Sequence, residues 1–342
     1  MGLYDWHISS YKQGMVLSRL KAIFILALGL VVSLSGRAAD LTSVFQKTYA
    51  DNSLLSFAEQ AQLRQFDFYL VPGILSEAFL KEDDRSSVSF ARLTGDYLGT
   101  QQELLQNVYK FNSVRLSSSS KSVSEIKDSI RAALNQSASV GRKAVFLTHS
   151  LGGLALLEEL VDSPNYRDSV AGIVFLQSPF KGSPIADAYF DNPIYLDKFL
   201  GGLIPFFNTS PETIRYLGTA SRSQFMKENS QTITTITNIP MITVGGVVNG
   251  QNSLFTPAVN IMAMGCLEKV FGQCVVRLYS GPYDLSDGMV PFESSKLPGV
   301  DFVRLDGADH GETVVNIPYE QYDKARTTTA LLRLLLPSLK TR

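Results

Sequence analysis

The sequence predicts an α/β chain, a mostly parallel central sheet flanked by helices, on three observations. Short apolar runs at 68–71, 144–147 and 170–176 have the composition of strands buried on both faces. Stretches with helical periodicity or strong helix formers separate them, at 122–134 and 151–161. Finally, 342 residues at 45% hydrophobic and 18% charged suit one large globular domain or two small ones and exclude a disordered or collagen-like chain.

In chain order, residues 40–66 read as helical and precede the sheet. Residues 68–71 are a strand ending at Pro72-Gly73, and 108–116 are a second strand. Ser122-Val123-Ser124-Glu125 is a capping box opening a helix whose Ile126, Ile130, Ala133 and Leu134 share one face. Residues 144–147 form the next strand, and the helix that follows at 151–161 stops near Pro164. Further buried strands are read at 170–176, 241–248 and 301–305, with a closing helix at 322–336. Strands separated by helical crossovers make a parallel sheet with helices on both faces. Low complexity is confined to Ser117 to Ser120, and no repeat of solenoid length is present.

The amino terminus has the three-part layout of a secretory signal peptide. Arg19 and Lys21 precede an apolar run of thirteen residues, 22–34, and then come Ser35, Gly36 and Ala38. Thirteen is short of the ~20 residues that cross a bilayer as a helix. Cleavage after Ala38 and export to the periplasm or medium are therefore expected, with Met15 a candidate true start. The leader carries a net charge of +3, so the remaining 304 residues carry −4 and offer no basic surplus for a nucleic-acid partner. They retain two histidines, His149 and His310, and two cysteines, Cys266 and Cys274. In an oxidising compartment the cysteines are expected to close a small loop, the other reading being two buried thiols.

Chemistry enters where the 144–147 strand meets its helix. Thr148-His149-Ser150-Leu151-Gly152-Gly153 is a nucleophile elbow of the G-x-S-x-G kind, with Thr148 at the first glycine position. The turn must lift Ser150 Oγ above the sheet, and Gly152 lets the helix pack close to its strand. A serine hydroxyl needs a base. His149 is next to the serine on a turn that sends neighbouring side chains apart, which leaves His310, in the glycine-flanked loop after the last strand. The acid that orients His310 should lie between the two, and Asp287 in Ser286-Asp287-Gly288-Met289-Val290-Pro291 is the first choice, Asp284 the second. An oxyanion needs two backbone N–H donors. Leu151 supplies one at its helix start, and Ile74, after Pro72-Gly73, is chosen for the other.

Together these residues resemble the α/β-hydrolase superfamily, and most closely its secreted bacterial triacylglycerol lipases and esterases, from about Phe68 to the end of the chain. The family's His-Gly-apolar oxyanion sequence is matched by Pro72-Gly73-Ile74, the histidine being absent as in some lipid acyltransferases of the superfamily. Ser178 to Asp187 is similar to the family's segment after the strand that follows the nucleophile, with Phe180 where a histidine is usual. Asp287-Gly288-Met289-Val290 is similar to its acid turn. No cofactor is expected; the family often holds a structural calcium through an aspartate two residues after the histidine, where this chain has Glu312.

The resemblance implies a catalytic domain over 39–342 with a lid insertion at about 184–239. Within it 199–207 is strongly apolar and broken by Gly and Pro, suiting either a cover for an acyl chain or a small subdomain core. The expected activity is cleavage of a carboxylic ester, of a lipid in the first instance, through an acyl-enzyme on Ser150. That substrate would bring possible contact with a membrane or lipid surface. Acyl transfer to an alcohol on the same fold is the second reading, and a catalytically silent binding protein the third.

Overall fold

The computed structural model describes residues 38–74, 96–116, 122–191, 210–248, 266–270, 273–277, 285–317 and 320–340. The chain divides into two units, 1–38 and 39–342, and the second carries the fold.

Two helices, α1 (Thr42–Asp51) and α2 (Phe57–Leu63), precede the sheet. The break between them is explained locally. Asn52 turns left-handed at φ +53° to end α1, and Ser56 opens α2 with a complete capping box on Glu59. The first strand, β1 (Phe66–Val71), is buried throughout. Its one carboxylate, Asp67, is matched by Arg142 Nε at 2.5 Å and by Ser137 Oγ at 2.7 Å.

The stretch read as a strand over 108–116 is mostly something else. A short helix, α3 (Gly99–Glu103), continues as a π turn over Leu104–Val108, and only β2 (Ser113–Arg115) pairs with the sheet. Leu104 and Leu105 are buried while Val108 is exposed, so the apolar run serves a helical face before it serves a strand.

The remaining core follows the sequence reading closely. Helix α4 (Val123–Ser139) is capped by Ser122, whose Oγ accepts the Glu125 N–H at 3.3 Å. Strand β3 (Lys143–His149) runs into α5 (Leu151–Asp162), and β4 (Val170–Leu176) follows. The insertion is helical where described: α6 (Pro184–Asp191), α7 (Pro211–Tyr216), α8 (Thr219–Glu228) and α9 (Ser230–Ile236). Strand β5 (Met241–Val247) then re-enters the sheet. A hairpin that the sequence did not announce, β6 (Cys266–Val270) with β7 (Gln273–Arg277), lies apart from it. The hairpin carries both cysteines without setting them opposite each other: Cys266 pairs with Arg277, and Cys274 with Lys269. The sheet ends with β8 (Asp301–Asp306), and α10 (Lys324–Leu335) closes the chain.

The main sheet has the order β2-β1-β3-β4-β5-β8 with every pair parallel. Its faces are assigned by β4. A Cβ at Gly172 would meet Leu335 and Leu339, whereas Phe175, three residues on, lies against Gly153 of α5. Side chains alternate along a strand, so α5 and α10 cover opposite faces. The chain runs outward from β1 to β2, returns to β3, and then builds the other way. The carboxyl ends of β1 and β3 therefore flank a topological switch point, the position where open α/β sheets bind their ligands.

Candidate active site

Ser150 sits at the switch point, between β3 and α5, with φ +51° and ψ −123°. That backbone conformation costs a non-glycine residue about 1 to 3 kcal/mol and survives only because the surroundings impose it. Ser150 N–H donates to Leu176 O at 2.9 Å, and Ser150 O accepts the Gly153 N–H at 3.1 Å, so the turn is tied to both the neighbouring strand and its own helix. The close approach is paid for by glycine. A Cβ on Gly152 would lie 2.6 Å from the carbonyl oxygens of both Val71 and Pro72.

Two further loops deliver the partners of the serine. After β5, Asp287 folds back on itself: its Oδ1 accepts the N–H groups of Met289 at 2.9 Å and Val290 at 2.7 Å. After β8, the left-handed Gly307 (φ +93°) turns the chain, and Asp309 Oδ1 accepts the Gly311 and Glu312 N–H groups. The loops are joined directly, because His310 N–H donates to Asp287 O at 2.9 Å. This arrangement leaves His310 Nδ1 2.8 Å from Asp287 Oδ2, and His310 Nε2 3.0 Å from Ser150 Oγ. All three side chains are buried. With Nδ1 donating to the carboxylate, Nε2 carries a lone pair aimed at the serine hydroxyl, the geometry that lets an imidazole take the proton as the oxygen attacks. The structure thus brings together Ser150, His310 and Asp287, the three residues the sequence singled out. Asp284, the alternative acid, lies outside the described residues.

The residues expected to supply the two N–H donors both lie beside the serine. Leu151 is the first residue of α5, where N–H groups have no acceptor in the helix and the dipole favours negative charge. Gly73 N–H donates to Tyr97 Oη at 3.2 Å and is thereby committed, so the next residue, Ile74, is the one that borders the cleft with Ser150 and His310.

One buried side chain in this network escaped the sequence reading. Gln177 follows β4 with φ +51°; its Nε2 donates to Asp287 Oδ2 at 2.9 Å and to Asp309 O at 2.8 Å, while its Oε1 accepts from Thr313 Oγ1 at 2.7 Å. It spans both loops that hold the acid and the histidine. The signal it leaves is a polar residue at the end of an otherwise apolar strand, beside the Ser178 to Asp187 segment. Phe180 in that segment is fully buried and packs edge-on to Phe175, ring centroids 5.1 Å apart.

The cleft above Ser150 is apolar. It is a narrow cleft, with a cavity volume of about 30 Å³, and its walls include Ile185 and Ala186 of α6, Ile214 of α7, and Met289 and Val290 of the acid loop. The insertion therefore forms one wall of the cleft. The 199–207 segment read as a cover falls outside the described residues.

Glu312 stands at the position the resemblance associates with calcium. Its Oε1 accepts the N–H groups of Gln321 and Tyr322, the second at 2.7 Å, which commits that oxygen to donors rather than to a cation. Burial pushes its pKa up to about 7, with the charge of Asp309 adding to the rise. No cluster of three or more metal-ligating side chains occurs among the described residues, and no helix among them is long and apolar enough to cross a membrane.

A metagenomic carboxyl esterase superposes with a TM-score of 0.60 over 81% of this chain and 77% of its own, at 17% identity. The chain has the α/β-hydrolase fold. A Bacillus licheniformis lipase in its mature form superposes with a TM-score of 0.56 over 80% of this chain and 92% of its own, also at 17% identity. No family model matches the sequence, and no curated protein matches it. The likeness is therefore one of architecture. The α/β-hydrolase frame accounts for the placement of Ser150, Asp287 and His310 after β3, β5 and β8, since the carboxyl ends of parallel strands lie along one edge of the sheet.

Proposed function

We propose that this α/β-hydrolase is an exported serine hydrolase that cleaves carboxylic esters of apolar acyl groups, lipids in the first instance. The observation that carries the reading is the relay from Asp287 through His310 to Ser150 at the floor of an apolar cleft. In this reaction Ser150 Oγ attacks the ester carbonyl as its proton passes to His310 Nε2. The oxyanion forms against the N–H groups of Leu151 and Ile74, and collapse expels the alcohol, which takes the proton from His310. Water, activated by the same nitrogen, then releases the acid from Ser150. Asp287 stays ionised and stabilises the imidazolium. Ile185, Ile214 and Met289 give an acyl chain apolar surface to bury, at about 25 cal/mol per Å². The leader at 1–38 supports export, which amino-terminal sequencing of secreted material tests: the first residue should be Ala39.

The deciding experiment is a chain-length series of esters with the wild type and Ser150→Ala, combined with fluorophosphonate labelling. Turnover and labelling that both disappear in Ser150→Ala support the proposal. Acyl transfer outrunning hydrolysis when an alcohol is added would reassign the chain as an acyltransferase, and absence of labelling in the wild type would leave a silent binding protein.

A further inference from the structure

We propose that Tyr97 and His149 are positioning residues for ester cleavage, joined in a one-way hydrogen-bond chain that fastens the oxyanion loop at Gly73 to the main chain of His310. The inference rests on the ester-hydrolase reading and adds to it two residues outside the Ser–His–Asp relay.

The chain has three links. Gly73 N–H donates to Tyr97 Oη at 3.2 Å, Tyr97 Oη is bonded to His149 Nδ1, and His149 Nε2 lies 2.9 Å from the carbonyl oxygen of His310. Chemistry fixes the direction of each. A peptide N–H only donates and a carbonyl only accepts, so Tyr97 Oη accepts at Gly73 and His149 Nε2 carries a proton at His310. A neutral imidazole then has a lone pair on Nδ1, and the tyrosine O–H donates to it. The surroundings favour these protonation states. Burial, and then the charge of neighbouring His310, holds His149 well below the usual histidine range, and burial raises Tyr97 above the usual phenol range.

Both side chains are almost wholly enclosed, Tyr97 at 2% and His149 at 1% exposure, so neither is placed to meet substrate. Their reach is indirect. At one end the chain holds the Pro72–Gly73 peptide, one residue before Ile74, the expected oxyanion donor. At the other it holds the carbonyl of the residue whose N–H is held by Asp287 O and whose ring is held by Asp287 Oδ2. There is little slack between the ends. A Cβ at Gly73 would lie 2.8 Å from Ser150 Cβ and 3.0 Å from Tyr97 Oη. The Tyr97 and His149 rings meet edge to face at 5.6 Å, and the His149 and His310 rings stand 4.8 Å apart. Neutrality of His149 also matters to the reaction, because His310 becomes a cation as it takes the serine proton, and a second buried cation at that distance would oppose it. Small displacements of donor and base are costly in rate where reacting groups must be aligned.

The test is a mutant cycle with Tyr97→Phe, His149→Phe and the double variant, reading kcat and KM on a soluble short-chain ester. Each single variant should lose about 10- to 100-fold in kcat while KM stays within about twofold of wild type. The double variant should be no slower than the worse single one, since either change breaks the whole chain. Wild-type kcat in either single variant, or losses that multiply in the double, overturns the proposal. If Tyr97→Phe fails to fold, His149→Gln carries the test. A glutamine amide can still donate to His310 O, so His149→Gln should keep more kcat than His149→Phe, and equal rates overturn the chain. The underlying reading fails separately, through a Ser150→Ala protein that still turns over ester.

Discussion

Gln177 Nε2 lies 2.9 Å from Asp287 Oδ2, the same carboxylate oxygen that faces the imidazole of His310. One oxygen thus takes two donors, and the amide helps to hold the carboxylate that the histidine faces. Hydrogen bonds to charged groups contribute about 1.5 to 3 kcal/mol. If that is expressed mainly in the transition state, Gln177→Leu should lower kcat by about 10- to 100-fold with little change in KM. Gln177→Glu should be worse at neutral pH, because a second carboxylate would face Asp287 and force one of the two to hold a proton. Steady-state kinetics of both variants check this, and a Gln177→Glu enzyme faster than Gln177→Leu would show that the amide does not act through Asp287.

The acid itself is tested by Asp287→Asn. The side chain keeps its shape and its place between the Met289 and Val290 N–H groups, but the amide favours the wrong imidazole tautomer, and loss of a triad acid in this way costs about 10⁴-fold in kcat. Asp284→Asn should leave kcat near the wild-type value. Reversal of the two phenotypes would move the acid to Asp284.

Much of this site was legible in the sequence because elimination is powerful in a poor inventory. With His149 beside the serine, His310 was the remaining base, and a nucleophile elbow is a local pattern that needs only its strand and helix to be recognised. Turn chemistry picks out Asp287 in the sequence, and its fold-back onto Met289 and Val290 is that same chemistry. Tyr97 leaves no such trace, and Gln177 leaves only a polar residue at the end of an apolar strand. Their partners lie 52 and 110 residues away in the chain, and neither residue type announces a role. The fold was legible for a similar reason, since β4 and α5 are long uniform segments whose burial is dictated by composition. The 108–116 region misled because an apolar residue on a π turn and one on a short edge strand look alike over so few positions. The β6–β7 hairpin has no period strong enough to stand out in the sequence around it.

Gly152 tests how closely the elbow is packed. Both nearest atoms to a Cβ there are backbone oxygens, of Val71 and Pro72 at 2.6 Å, and backbone cannot yield as the tip of a side chain can. Gly152→Ala should destabilise the protein by about 1 to 3 kcal/mol, the usual cost of overpacking, and should lower kcat by prising α5 from the end of β1. Thermal melting and ester turnover measure the two effects. A variant with the wild-type melting temperature would mean that α5 does not approach β1 as closely as this.

Glu312 gives the chain a pH dependence of stability with a defined sign. Its carboxyl titrates near 7 when folded, raised by burial above the ordinary glutamate value of 4.5. Between those values the folded protein holds a proton that the unfolded chain releases, so stability from this group is complete below about pH 4.5 and is lost as pH rises through about 7. The loss has a structural consequence, because Glu312 receives the backbone N–H groups of Gln321 and Tyr322 and so ties the loop after His310 to the approach to α10. Glu312→Gln keeps an oxygen for those donors and removes the titration. Denaturant titrations at pH 5 and pH 8 should show the wild type losing stability relative to Glu312→Gln on going to pH 8. A constant difference between the two proteins across that range, or one of opposite sign, would mean that the Glu312 carboxyl is ionised in the folded state throughout.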